Sequence, residues 1–215
     1  MTFDVLSHLR RLRIVPLIVI DDPARAVALG QALVAGGLPC AEVAFRTPAA
    51  REALARMAGE CPDVLVGAGT VLSARQVDDA QSAGARFIVA PGLDERVVRR
   101  SQELGLPVFP GICTPTEIGA ALALGLHVVK FFPAEPMGGL PFLKAVAAPF
   151  GDVEFMPTGG IAESHLASYL SFKRVVACGG SWMAPQQWIA DGAFDQVRAA
   201  VAQAVGVVQQ LTKSR

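Results

Sequence analysis

Residues 128–133 read Val-Val-Lys-Phe-Phe-Pro, an apolar run that holds a single charged side chain, Lys130. The run is short, rich in β-branched and aromatic residues and closed by proline, so it predicts a buried strand rather than a surface helix. A buried ammonium group without a partner tends to lose its proton, and a neutral lysine amine can form a Schiff base with a carbonyl compound. Two other interpretations stay open: a lysine that extends from a strand end towards water, or one paired with a buried carboxylate.

Seven similar apolar runs lie on either side of this one and start 20 to 26 residues apart. The eight predicted strands are Ile14–Ile20, Cys40–Phe45, Val64–Val71, Phe87–Pro91, Val108–Cys113, Val128–Pro133, Glu154–Thr158 and Val175–Cys178. Amphipathic patterns between them predict helices over Pro23–Val34, Pro48–Met57, Ala74–Ala83, Asp94–Leu104, Pro115–Leu124 and Ser164–Leu170.

Strands and helices that alternate at this spacing predict βα units and a parallel sheet. Eight units in 215 residues match one (β/α)8 (TIM) barrel domain over residues 1–215, with an extra N-terminal helix, Phe3–Arg11, across the bottom. The rival fold is an open doubly wound sheet, but no predicted strand leads into a Gly-x-Gly-x-x-Gly sequence.

The composition restricts the class of protein. Hydrophobic residues make up 52% of the chain and charged residues 18%, with 19 basic and 19 acidic side chains. A net charge of zero gives no basic surface for nucleic acid or an anionic membrane, and no apolar run reaches the roughly 18 residues of a membrane span. Met1–Arg13 lacks the apolar core of a signal peptide. Four scattered cysteines and three histidines predict a cytoplasmic protein without a metal site or cofactor.

The second predicted strand carries two charged side chains of the same pleat parity, Glu42 and Arg46. Val43 and Phe45 have the opposite parity and face the helices. Glu42 is therefore expected to point into the barrel, as an acid or base would. Arg46 is expected nearer the mouth, where its guanidinium can bind a carboxylate. An internal ion pair between Glu42 and Lys130 is the alternative interpretation.

Three predicted strands end in glycine-rich segments, Gly67–Thr70, Pro157–Gly160 and Cys178–Ser181. Tight βα turns use glycine freely, so either of the last two segments alone would be weak support for a binding site. Together they follow strands seven and eight, where barrels bind phosphate through backbone N–H groups. A buried lysine, an inward carboxylate, an arginine and a phosphate site favour Schiff-base chemistry on a phosphorylated keto acid.

Several motifs now resemble one family. They are Glu42–Thr47 (EVAFRT), Gly67–Val71 (GAGTV), Pro91-Gly92, Pro110–Thr114 (PGICT), Lys130–Glu135 (KFFPAE), Pro157–Ile161 (PTGGI) and Gly179–Trp182 (GGSW). In this order they resemble the 2-keto-3-deoxy-6-phosphogluconate (KDPG) aldolases of the Entner–Doudoroff pathway, which also act as 4-hydroxy-2-oxoglutarate (KHG) aldolases. The resemblance runs from about Val15 to Trp182, and the lysine motif is its most specific part.

The resemblance implies a role for each matching residue. Lys130 would form the Schiff base, and Glu42 would be the general acid and base. Arg46, Thr70 and the backbone near Pro91 would hold the pyruvate carboxylate, and Thr158 would contact the hydroxyl or carboxyl region. The phosphate would be held by Gly159, Gly160, Gly180 and Ser181. The family also implies a homotrimer.

Two positions depart from the family pattern. Ala44-Phe45 stands where many members have a polar residue followed by leucine, and Cys113 stands where serine is frequent. The cysteine could alter the pocket near the phosphorylated end of the substrate. Alternative functions are an aldolase for the galactonate epimer, a phosphosugar isomerase or epimerase, and a phosphosugar-binding protein without catalysis. An isomerase or epimerase leaves a lysine within strand six unexplained, and a binding protein would not need Glu42 and Lys130 to share the interior.

Overall fold

The structure, a computed structural model, describes residues 4–213 of the chain. Phe3, the predicted start of the N-terminal helix, lies outside these residues. The strands are β1 Ile14–Ile18, β2 Cys40–Ala44, β3 Leu65–Gly69, β4 Ile88–Val89, β5 Val108–Phe109, β6 Gly111–Ile112, β7 Val128–Phe131, β8 Glu154–Pro157 and β9 Cys178–Gly180. The ladders between neighbouring strands are parallel.

The strands form two hydrogen-bonded sets, β5-β4-β3-β2-β1-β9 and β6-β7-β8. Pro110 separates β5 from β6 because proline has no N–H for the ladder, but its carbonyl accepts a hydrogen bond from the Lys130 N–H at 2.9 Å. A bridge between Thr158 and Gly179 joins β8 to β9. The two sheets are therefore joined at both ends, by the chain that continues from β5 into β6 and by the bridge from β8 to β9. With β5 and β6 counted as one strand, the ring has eight strands, which confirms the predicted (β/α)8 barrel.

The last barrel strand differs from its prediction. It begins at Cys178, three residues later than expected from the sequence, and includes Gly179 and Gly180. Val175, the predicted start, makes only an isolated bridge to Phe155. The apolar pattern could not show this boundary because the segment before Cys178 is as buried as the strand itself.

The helices are α1 Val5–Leu12, α2 Ala26–Ala35, α3 Ala50–Glu60, α4 Ala74–Ser82, α5 Glu95–Glu103, α6 Pro115–Ala123, α7 Gly139–Ala147, α8 Leu166–Ser171, α9 Gln186–Ala190 and α10 Phe194–Lys213. The six predicted internal helices are present, two of them preceded by a 3-10 turn, Pro23–Arg25 and Glu163–His165. The sequence patterns did not predict α7, because it starts between Gly138, with a φ of 108°, and Pro141.

The strands separate two apolar layers, one inside the barrel and one outside it. The smaller lies inside the lower half of the barrel, where Val5 and Leu9 of α1 pack with Phe87, Val128 and Met156. The larger lies between the strands and the outer helices. Helix α1 therefore closes the amino-terminal end of the barrel, as predicted, and the polar groups are left at the opposite end. Within residues 4–213, no helix is both long and apolar enough to cross a membrane.

Candidate active site

Lys130 lies in the middle of β7 and is 3% exposed. Its Cα pairs with Gly111 on one side and Met156 on the other. Val128 belongs to the apolar cluster inside the barrel, and Lys130 shares its parity, so the amine points into the barrel as predicted. The Nζ atom lies 5.2 Å from the centre of the Phe132 ring.

Glu42 lies in β2 and is 1% exposed. Its Oε1 accepts a hydrogen bond from Lys130 Nζ at 3.4 Å, across 88 positions of sequence. Strands β2 and β7 are four strands apart in either direction around the ring, so the two side chains meet at the barrel axis. The ion pair that the sequence left as an alternative is therefore present, and it lies at the same place as the proposed chemistry.

Arg46 and Thr70 meet just beyond the strand ends. The Arg46 Nε donates a hydrogen bond to the Thr70 hydroxyl at 3.0 Å. Thr70 has a φ of 56°, in the left-handed region that β-branched residues rarely adopt. The Thr70 hydroxyl thus holds the guanidinium on one side, and among residues 4–213 no other hydrogen bond of the Arg46 side chain is present.

A cavity of about 410 Å³ lies at the carboxyl ends of the strands. Its lining residues are Leu17, Arg46, Phe132, Thr158, Gly159, Gly160, Ile161, Gly180, Ser181 and Trp182. Six of the ten predicted site residues are therefore brought together here. Lys130 and Glu42 do not line the cavity, but the Phe132 ring lines it and its centre lies 5.2 Å from Lys130 Nζ.

The glycine segments of the cavity expose backbone rather than side chains. Gly159 and Gly160 have φ values of 102° and 78°, which side-chain-bearing residues rarely adopt. Among the backbone hydrogen bonds of residues 4–213, the N–H groups of Gly160 and Ser181 have no acceptor outside the strand ladders, whereas the bridge between Thr158 and Gly179 engages the N–H of Gly159. Converging unpaired N–H groups form an anion-binding site, as in other barrel proteins.

Thr70 and Pro91 do not line the cavity. Thr70 reaches it only through Arg46, and the Pro91 carbonyl packs against Gly111, where a Cβ would overlap the Pro91 backbone. Sequence reasoning missed Leu17, Phe132, Ile161 and Trp182 as lining residues. Trp182 directly follows the Gly-Gly-Ser segment and could have been noticed. Leu17 could not, because it depends on the register that pairs it with Glu42.

Burial raises the pKa of two cysteine thiols in the barrel, Cys40 and Cys178. It raises the pKa of the Cys178 thiol to about 12. Burial, together with the nearby Glu42 carboxylate, also raises the pKa of Cys40 far above its usual range. Both thiols therefore stay protonated at neutral pH and pack as small apolar groups.

Comparison of the sequence with known proteins points to one family. The model of the KDPG and KHG aldolase family matches residues 5–200. The 2-dehydro-3-deoxy-phosphogluconate aldolase of Treponema pallidum is 48% identical over 204 residues, which cover 95% of this chain and 97% of that protein. The KHG/KDPG aldolase of Escherichia coli (strain K12) is 41% identical over 192 residues, 89% of this chain and 90% of that one.

Solved structures give the same result. The crystal structure of KDPG aldolase from Legionella pneumophila, with pyruvate captured as a covalent carbinolamine intermediate, matches with a TM-score of 0.90 and 35% identity. The match covers 95% of this chain and 99% of that one. On the extent of the family match and the identity to these relatives, the chain belongs to the KDPG and KHG aldolase family.

Proposed function

We propose that the protein is a class I aldolase, a carbon–carbon lyase that reversibly cleaves KDPG to pyruvate and glyceraldehyde 3-phosphate and also cleaves KHG. The observation that carries the proposal is the buried Lys130–Glu42 pair, whose amine contacts Phe132, a residue that also lines the cavity with the glycines. A lysine and a carboxylate in contact supply the nucleophile and the proton acceptor that imine formation needs.

The first stage forms the imine. Glu42 accepts a proton from the Lys130 ammonium, and the neutral amine attacks the keto carbon of the substrate. Glu42 then returns this proton to the alkoxide oxygen, which gives the carbinolamine. Glu42 next takes a second proton from the nitrogen and delivers it to the hydroxyl, so that water leaves and a protonated imine remains on Nζ. The 3.4 Å separation between Nζ and Oε1 permits this transfer without a large movement of either side chain.

The second stage breaks the carbon–carbon bond. Glu42, through a water molecule, removes the proton of the C4 hydroxyl, the C3–C4 bond breaks, and its electrons move into the iminium nitrogen to give an enamine. The aldehyde product leaves. Protonation at C3 and hydrolysis of the imine then release pyruvate and regenerate Lys130. The iminium acts as the electron sink for the whole sequence.

Arg46 and Thr70 are the proposed ligands of the substrate carboxylate, together with the backbone near Pro91. The Arg46–Thr70 hydrogen bond supports this role because it limits the rotation of the guanidinium. Thr158 is 4% exposed and lines the cavity, so its hydroxyl can reach the hydroxyl or carboxyl region of a bound keto acid.

Gly159, Gly160, Gly180 and Ser181 are the proposed phosphate ligands. The unpaired N–H groups of Gly160 and Ser181 support this role, and Ser181 lines the same cavity as the two glycines of the loop. Replacing Ser181 by alanine should raise KM for KDPG several-fold and leave KHG cleavage nearly unchanged. Equal losses on both substrates would contradict a phosphate role.

We further propose a single barrel domain over residues 1–215, a cytoplasmic location and a homotrimer. The barrel and its flanking helices over residues 4–213 support the first proposal, and four free cysteines support a reducing compartment. The trimer rests on the family resemblance alone. Light scattering coupled to size-exclusion chromatography, with a mass three times that of the chain as the expected result, tests it.

Trapping with pyruvate and borohydride tests the catalytic assignment. Peptide mass spectrometry should place the reduced adduct on Lys130, and Lys130→Ala should lose both adduct and turnover. Lys144 and Lys173 are exposed, so Lys144→Ala and Lys173→Ala are matched controls that should keep both. An adduct on another lysine, or none in the unaltered protein, would overturn the proposal.

A further inference from the structure

Glu135 follows the lysine strand in the segment that leads to α7, outside the cavity lining. Two backbone hydrogen bonds tie this segment to the glycine loop after β8. The Ala134 N–H donates to the Thr158 carbonyl at 2.8 Å, and the Glu135 N–H donates to the Gly159 carbonyl at 3.0 Å. The loop over residues 158–162, here named the glycine loop, therefore rests on Glu135.

The side chain of Glu135 fills the space behind this loop. A Cβ placed on Gly160 would lie 2.8 Å from the Glu135 Cβ and 3.2 Å from its Cγ, so the two residues are packed as closely as a glycine permits. The loop cannot move away from the cavity without displacing Glu135. Its backbone N–H groups are thereby kept at the cavity surface.

The Glu135 carboxylate is itself fixed from behind. Its Oε1 accepts a hydrogen bond of 2.5 Å from the hydroxyl of Tyr169, a side chain of α8 that is 1% exposed. Burial, and next the hydrogen bond to Glu135, raise the pKa of Tyr169 well above its usual value. The phenol therefore remains protonated, and a donor, at neutral pH.

A second contact connects Glu135 with the far end of the glycine loop. The Ala162 N–H donates to His165 Nδ1 at 3.1 Å, which leaves Nε2 as the protonated nitrogen of the neutral ring. His165 Nε2 lies 3.9 Å from Glu135 Oε2. The Glu135 carboxylate thus contacts the Tyr169 hydroxyl and the His165 ring, and the Glu135 backbone N–H donates to the Gly159 carbonyl.

We propose that Glu135, anchored by Tyr169, is a positioning residue that holds the glycine loop in the conformation that binds the phosphate of the substrate. The inference rests on the proposed phosphate role of Gly159 and Gly160. Neither Glu135 nor Tyr169 touches the substrate. Both act by keeping the N–H groups pre-oriented, so that their loss affects binding of the phosphate and leaves the chemistry at Lys130 intact.

Two variants and one matched control test this inference. Tyr169→Phe removes only the hydroxyl and keeps the buried ring, and Glu135→Ala removes the carboxylate. Glu163→Ala is the control: Glu163 lies on the neighbouring turn, and its carboxylate accepts a hydrogen bond of 2.8 Å from Gln203 in α10. Circular dichroism and thermal unfolding establish that each variant is folded.

Two measurements then follow. Calorimetry with glycerol 3-phosphate should show dissociation constants about three- to tenfold higher in Tyr169→Phe and Glu135→Ala, the range expected for one lost hydrogen bond. Hydrogen exchange of residues 158–162 should be faster in both variants and unchanged in Glu163→Ala. The double variant should bind no more weakly than Glu135→Ala, because the two side chains act as one unit.

Each result has a distinct meaning. Unchanged affinity and unchanged exchange in both variants, or no binding of glycerol 3-phosphate by the unaltered protein, would overturn the positioning role. Trapping of pyruvate on Lys130, which should proceed at the same rate in Tyr169→Phe, reports separately on the aldolase proposal. If trapping failed in every protein while glycerol 3-phosphate binding still depended on Tyr169, the positioning role would stand and the proposed reaction would fall.

Discussion

The carboxylate of Glu42 occupies the space that a side chain at Gly69 would need. A Cβ placed on Gly69 would lie 2.6 Å from Cγ and 2.8 Å from Cδ of Glu42. The two residues belong to neighbouring strands, where Gly69 pairs with Ala44, two positions beyond Glu42. The absence of a side chain at Gly69 is therefore what leaves room for the carboxylate that contacts Lys130.

We expect Gly69→Ala to impair catalysis more than stability. The added methyl group would push the Glu42 carboxylate away from Lys130, and a small displacement of a proton-transferring group lowers kcat about 100-fold. Steady-state kinetics and thermal unfolding measure the two effects. Gly59→Ala is the matched control, since a Cβ there has nothing within 4 Å and lies in a helix. If kcat of Gly69→Ala matched that of the control, the steric role of Gly69 would be wrong.

Because the ion pair is buried, we expect removal of Lys130 alone to be more destabilising than removal of both charges. The side chains of Lys130 and Glu42 are 4% and 2% exposed. Lys130→Met should therefore destabilise the fold by about 3–5 kcal/mol, because it leaves a carboxylate without its cation. Adding Glu42→Gln should recover part of this loss. Urea unfolding of both proteins checks the prediction, which a less stable double variant would contradict.

Glu42→Gln alone separates imine formation from proton transfer. The amide can no longer accept the protons of the reaction, so aldol cleavage should slow by about 100-fold or more. Borohydride trapping of pyruvate on Lys130 should still occur, because the amine remains in place, but it should be slower, because Glu42 also transfers the protons of imine formation. A variant that kept the full cleavage rate would show that another group is the acid and base.

The backbone conformation of Thr70 is expected to lower the free energy of unfolding while its hydroxyl orients Arg46. Its φ of 56° costs about 1–3 kcal/mol for a β-branched residue. Thr70→Gly should relieve that strain but raise KM for the keto acid several-fold, because Arg46 loses its hydrogen-bond partner. Thr70→Asn tolerates this backbone region and retains an acceptor, so its KM should be closer to that of the unaltered protein. Comparable KM values for all three proteins would rule out the role.

The buried thiol of Cys178 predicts a loss of stability in alkali. Its pKa rises from 9.0 to about 12 on folding, so the folded state keeps a proton that the unfolded chain releases. The contribution is complete below about pH 9 and falls by about 1.4 kcal/mol per pH unit as the pH rises towards 12. Urea unfolding at pH 8.5–10.5 should show a shallower decline for Cys178→Ala. Parallel curves for the two proteins would contradict the prediction.

Much of the fold could be predicted from local patterns. The eight apolar runs and their spacing predicted the barrel, because a strand buried on both faces has a continuous apolar sequence and each helix a periodic one. Pleat parity alone placed Lys130 and Glu42 inside the barrel. Predictions failed where glycine or proline decides the outcome, as at α7, or where two segments are equally apolar, as at the start of β9.

What the sequence by itself determined is the set of βα units and the direction in which Lys130 and Glu42 point, since both follow from periodicity along a single strand; Arg46 lies in the turn after β2. Only the tertiary structure decided which side chains meet. Ring closure and the register between strands determine three contacts. These are the hydrogen bond between Lys130 and Glu42 across 88 positions, the packing of Glu42 against Gly69 and the packing of Glu135 against Gly160. Such contacts are set by the packing of distant segments, which leaves no periodic signal in either segment alone.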